Sequence, residues 1–139
     1  MTHDAMSEAA YPYKAVDQTC AYNPNDTTGV RVSSYTPLNA NDIPAFKSAL
    51  AQQPISVSIE ADTLPFQFYT SGILDTTACG TTLDHAVLAV GYGIESGIEY
   101  WLVKNSWGTA WGDQGYIKLA IVDGDGICGI QMAPQFPSV

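Results

Sequence analysis

The chain has 139 residues and is 46% hydrophobic, so it is no disordered tail; roughly 68–70% of the unfolded surface disappears in a domain of about 150 residues. Charged residues make up only 14%, and 14 acidic against 5 basic residues give a net charge of −9, which a soluble protein carries comfortably. No basic run and no apolar stretch near the ~20 residues of a bilayer span is present, so no nucleic-acid partner and no membrane partner is expected.

Residues 1–40 read as loop. The opening MTHDAMSEAAYPY lacks the basic-then-apolar order of a signal peptide, so any leader of a secretory parent is expected upstream. Tyr-Pro-Tyr, Asn-Pro-Asn and Thr-Pro are turn or extended signals. Asn41 or Asp42 then caps a short helix in which Pro44 suits the first turn, Phe46, Leu50 and Ala49 give the apolar face, and Pro54 ends the segment after about Gln53. The period changes to two at Ile55-Ser56-Val57-Ser58-Ile59, a half-buried strand. Phe66, Phe68 and Tyr69 form an aromatic cluster before a turn at Gly72. Residues 86–92 and 100–104 are buried strands joined by the hairpin-like loop GIESGIE, residues 115–120 are a further strand, and DGDG at 123–126 is a turn. The whole of 1–139 is expected to form one domain of α+β class, β-dominated: a barrel-like antiparallel sheet domain with a short helix.

Two stretches carry chemistry. In Leu83-Asp84-His85-Ala86-Val87 a histidine stands at the mouth of a buried strand. In 104–112, KNSWGTAWG, two tryptophans framed by glycines follow a strand. Either alone is ordinary: a lone histidine beside a strand is usually structural, and Asn-Ser-Trp-Gly is usually a turn. Together they mean more, because a hairpin between them brings His85 and Asn105 side by side.

Here the chain resembles the papain and cathepsin family. LDHAVLAVGYG and YWLVKNSWGTAWGDQGYIKL are similar to that family's histidine and asparagine regions. YPY before Cys20, PISVSIEA, FQFYTSGIL and GICGI resemble further family segments in the right order, from about Ser7 to Pro137. The likeness is to the C-terminal, right-hand half of a cathepsin L-like enzyme, with the N-terminal half missing.

The resemblance implies roles. His85 is the general base and imidazolium partner of a catalytic cysteine: a thiol of pKa about 8.5 is mostly protonated at neutral pH, and a cationic imidazole stabilises the thiolate. Asn105 accepts the other ring N–H and fixes the tautomer. Trp107 shields that contact from water, Asp84 is auxiliary, and Trp111 forms a wall on the leaving-group side. The pocket for the substrate's second residue is lined by Ser58, Leu83, Ala86 and Ala133, small or apolar positions that fit a bulky apolar side chain. Cys79 and Cys128 match the family's disulfide in this half, and the odd Cys20 matches a cysteine whose partner sits in the other half. No cofactor and no metal are implied.

The nucleophile itself is not expected among these residues. In papain-type enzymes the cysteine precedes the histidine by ~130–150 residues, which falls before Met1. The contexts TCAY, ACGT and ICGI do not match the C-G-S-C-W signature, and the oxyanion-hole glutamine that precedes it is missing too. The expected function is therefore the C-terminal part of an endopeptidase acting through an acyl-enzyme, inactive alone. Its partners would be a peptide or protein substrate and the left-hand domain carrying the nucleophile, in a lysosomal, vacuolar or secreted setting. The competing reading is a stand-alone, non-catalytic module that holds peptides or a partner.

Overall fold

The computed structural model describes residues 3–14 and 16–139; positions 1, 2 and 15 of the expected loop lie outside them. The chain divides into two compact units, residues 1–36 with 137–139, and residues 37–136.

The first unit is mostly irregular and exposed. Its backbone is tied at few points: Met6 bridges Thr27, Ala5 N–H donates to Val30 O (2.7 Å) and Thr28 N–H to Ala5 O (2.8 Å). The expected loop holds one strand, β1 (Ser34–Pro37), which sequence reading missed because its four residues are exposed and show no buried alternation. Ser33 N–H donates to Ser138 O (2.8 Å) near the chain end.

The second unit opens with helix α1 (Ile43–Leu50). Of the two candidate caps, Asp42 serves: its carboxylate accepts the Ala45 N–H at 3.0 Å, while Asn41 takes a positive φ of 64° outside the helix. Phe46 and Leu50 are buried, as the spacing of four requires. The helix stops at Leu50, short of Gln53. Strand β2 (Ile55–Ile59) alternates buried and half-buried residues as its period predicts. A four-residue helix, α2 (Leu64–Gln67), and the two-residue strand β3 (Ile73–Leu74) follow. Both are too short for a legible period. The expected aromatic cluster divides: Phe66 and Tyr69 are buried, Phe68 is exposed. Tyr69 donates its hydroxyl to Gly72 O (2.6 Å), and burial pushes its phenol above the ordinary pKa.

The remaining strands are β4 (His85–Glu95), β5 (Ile98–Lys104), β6 (Tyr116–Ala120) and β7 (Gln135–Ser138). Residues 93–99, expected as loop, are mostly strand. The turn is only Ser96-Gly97, with φ of 52° and 84°, the left-handed pair of a two-residue hairpin that matches strand twist. Gly97 suits that geometry; Ser96 bears its cost.

In the second unit the strand order is β7-β2-β4-β5-β6-β3. Neighbours run antiparallel except β3, which pairs in parallel with β6, so the sheet is mixed and open. The β-dominated α+β class is borne out. The core lies between this sheet and α1. Ile55, Val57 and Ile59 meet Val87 and Ala89, Trp101 and Val103, and Ile117 and Leu119. Trp101 is fully buried, stacked on Phe46 with ring centroids 4.2 Å apart. Its indole N–H donates to Gln131 Oε1 (3.1 Å), and the Gln131 amide donates to Val122 O (2.9 Å) and Gly124 O (2.6 Å). The buried polar group is thereby satisfied. Among the described residues no helix is long and apolar enough to cross a membrane.

Candidate active site

His85 is the first residue of β4, and Asn105 directly follows β5. The register of this hairpin decides whether they can meet. Near the turn, Tyr92 faces Trp101 and Gly91 faces Leu102. Continued unchanged, that register would set Asn105 opposite Leu88, which lies on the other face of β4 from His85. A bulge intervenes: beyond it Ala89 faces Val103 and Leu88 faces Lys104, with Val90 as the extra residue. One more step places Asn105 opposite Val87, on the face shared by His85, Val87 and Ala89. A single inserted residue thus carries the carboxamide to the histidine's side of the sheet. The two residues are diagonal neighbours, not direct partners, and the imidazole reaches across to make the contact.

His85 Nε2 lies 2.9 Å from Asn105 Oδ1. Oδ1 also accepts the Ser106 N–H at 2.7 Å, and Asn105's own N–H donates to Gly115 O (3.0 Å). The Ser106 bond orients the carboxamide, because an N–H must face an oxygen. His85 Nε2 is then the donor, which leaves the Nδ1 lone pair of the neutral ring free. Nitrogen-15 NMR of neutral His85 is expected to find the proton on Nε2. A dominant Nδ1–H form would contradict the geometry, and Asn105→Ala should weaken the bias.

Asn105 is 7% exposed, and its Nδ2 is buried with no hydrogen-bond partner among the described residues. Leaving such a donor unmet costs about 1–3 kcal/mol.

The indole of Trp107 lies 5.3 Å from the His85 ring at 30°, and the residue is 42% exposed. It is part of an aromatic cluster. Phe66 meets Trp107 edge-on (5.4 Å, 88°) and Trp111 at 5.0 Å; Trp111 meets Trp107 at 5.3 Å and 78°. Trp111 is fixed further by its N–H donating to Gln67 O (3.0 Å), and Tyr69 lies 5.9 Å from it. The support from α2, through Phe66 and the Gln67 carbonyl, was not singled out in the sequence. The aromatic spacing in 66–69 was its one signal. Gly112 lets the tryptophan loop close: at φ 59° a Cβ would stand 2.6 Å from Tyr116 O.

Asp84 makes its hydrogen bonds at the end of β2. Its Oδ1 accepts the Ala61 N–H (2.8 Å) and its own N–H donates to Ile59 O (3.0 Å), so it pins β4 to the end of β2. Of the expected pocket residues, Ser58 and Ala86 are cross-strand partners next to the Ile59–His85 pair. Leu83 packs beside Gly129, where an added Cβ would sit 2.7 Å from its Cδ2. Ala133 is exposed, near the same turn in sequence. A shallow depression of about 410 Å³ runs from Ser56 along Ala86–Leu88 to Asn105 and Ser106.

Cys79 and Cys128 form a disulfide that joins the one-turn helices Thr77–Cys79 and Ile127–Gly129, with Cα atoms 4.9 Å apart. Cys20, in the first unit, is exposed and free.

The open mixed sheet has the fold of solved cysteine proteases. The bromelain protease from Ananas comosus, solved in complex with the E64 inhibitor, matches at TM-score 0.87 and 40% identity over 98% of this chain and 63% of its own. Digestive procathepsin L2 from Tenebrio molitor larval midgut matches at 0.90 and 40%, over 99% of this chain and 43% of its own. The family described as papain family cysteine protease matches residues 1–138, and the chain belongs to that family. Probable cysteine protease RD21B from Arabidopsis thaliana is 50% identical over 133 residues, 94% of this chain and 28% of the relative. The chain thus spans between about a quarter and two-fifths of the curated relatives it matches, covering their C-terminal part.

Proposed function

We propose that this chain supplies the proton-handling half of a peptide-hydrolysing site, with His85 as general base and acid and Asn105 as its positioning partner. The nucleophilic thiolate comes from a cysteine outside these residues. The observation that carries the reading is the 2.9 Å contact between His85 Nε2 and Asn105 Oδ1, which leaves Nδ1 free to face a thiol. A thiolate formed beside the imidazolium attacks the scissile carbonyl; the leaving amine takes the proton back from His85, and water then hydrolyses the thioester with His85 as base. The Trp107 ring supports this chemistry by packing beside the imidazole, 5.3 Å between ring centroids, where it limits how the ring can turn. Asp84 helps by fixing the strand that carries His85. Ser58, Leu83, Ala86 and Ala133 are assigned to the apolar pocket for the substrate's second residue, and Trp111 to the leaving-group wall.

None of the three cysteines suits the attack: Cys79 and Cys128 are oxidised, and Cys20 lacks the nucleophile's sequence context. The disulfide also supports an oxidising setting, so a secreted, vacuolar or lysosomal location is part of the proposal.

The test joins this chain to the cysteine-bearing N-terminal part of RD21B and assays a fluorogenic peptide with an apolar second residue. The chain alone should give no turnover. The joined protein should give turnover that a thiol-directed epoxide blocks. Epoxide-sensitive turnover by the chain alone, or a folded but inactive joined protein, would overturn the reading.

A further inference from the structure

Of the five asparagines in the chain, one begins an Asn-x-Ser/Thr triplet with x other than proline: Asn25-Asp26-Thr27. That triplet is the acceptor signature for N-linked glycans, and it is meaningful only where the asparagine side chain is accessible on a loop. The first unit presents it so. Asn25 is exposed and lies in the turn that follows Pro24. The turn is held by its neighbours. Asn23 Oδ1 accepts the Asn25 N–H (3.1 Å), Asn23 O accepts the Asp26 N–H (3.1 Å), and Asn23 Nδ2 donates to Asp26 Oδ2 (2.6 Å). Just beyond, Thr27 bridges Met6, and Thr28 bonds Ala5 O through both its N–H and its hydroxyl (2.8 and 2.9 Å). Among the described residues, the side chains of Asn25 and Thr27 take part in none of these bonds. The carboxamide can therefore carry a large polar group without displacing anything packed.

We propose that Asn25 is an N-glycan acceptor. An independent feature points to the compartment where such transfer occurs: the buried Cys79–Cys128 disulfide belongs to an oxidising lumen. The co-reactant is an oligosaccharide carried on a polyprenyl diphosphate. The Asn25 Nδ2 bonds to the sugar's anomeric carbon as the carbon–oxygen bond to the diphosphate breaks. The electron pair leaves with the diphosphate, and one amide proton passes to a base of the transferase. No oxidant or reductant is involved. The inference stands apart from the peptidase reading, since neither His85 nor a nucleophile takes part.

The test translates the full chain behind a cleavable secretory leader in the presence of eukaryotic microsomes. The protease-protected fraction is then analysed on gels and by peptide mass spectrometry, before and after peptide N-glycosidase. The protected chain should run heavier and collapse on digestion, with Asn25 recovered as Asp. Asn25→Gln and Thr27→Ala should lose the shift, and Thr27→Ser should keep it. Transfer acts on the chain as it emerges, so a folding defect in a variant does not blur the readout. A protected chain with unmodified Asn25, or a shift that survives Asn25→Gln, would overturn the assignment.

Discussion

His85→Ala, made in a chain completed with its nucleophile half, is expected to lower kcat/KM about a thousandfold or more. A positioned general acid–base accounts for about 10²–10⁴ in rate, and here the same group must also hold the thiolate. Asn105→Ala should cost less, because it removes one hydrogen bond to a group that becomes charged. Such a bond is worth about 1.5–3 kcal/mol, or about ten- to a hundredfold in rate. The two variants should also part company in stability. Asn105→Ala removes an unmet buried Nδ2 donor, which offsets the loss of the acceptor for the Ser106 N–H and His85 Nε2, so its thermal midpoint should change little. Steady-state kinetics beside thermal unfolding distinguishes this from a packing role. A variant Asn105→Ala that loses stability and activity together would assign the residue to structure alone.

Replacing both Cys79 and Cys128 by serine is expected to remove about 4 kcal/mol of stability. The bridge closes a loop of 49 residues, and chain-entropy estimates for such a loop give about that value. Against a total of about 5–15 kcal/mol for a typical domain, the loss leaves little margin at body temperature. The effect should match that of a large core truncation, while the backbone bond from the Glu60 N–H to Cys128 O (2.9 Å), which serine leaves in place, still ties the end of β2 to the turn at 127–129. Urea unfolding under oxidising conditions reads the shift directly. An unchanged midpoint would mean that the one-turn helices are held by packing alone.

Much of this fold was legible because its signals are local. The alternation in 55–59 and the Asp42–Pro44 start of α1 each follow from a handful of residues. The hairpin was legible as a hairpin, but its turn was placed too broadly. Residues 93–99 mix glycine, acids and isoleucines, and only cross-strand pairing reveals Ser96-Gly97 as the whole turn. The pairing of β3 with β6 was illegible, since two residues carry no period and the partner is more than forty positions away. The Cys79–Cys128 pairing came from family likeness; three cysteines alone allow three choices. At the candidate site, His85 and Asn105 stood out as a pair, yet nothing in AVLAVGYG marks Val90 as a bulge. An apolar run reads the same whichever face each residue takes.

That bulge gives the hairpin an odd–even rule. Within the paired arms between His85 and Asn105, an insertion or deletion of one residue reverses which side of the sheet the carboxamide occupies, while a change of two restores it. The arm can therefore drift in length only by even steps, or by odd steps matched with the gain or loss of a bulge. The separation of the two residues along the chain is free to vary; the face of the sheet they share is not.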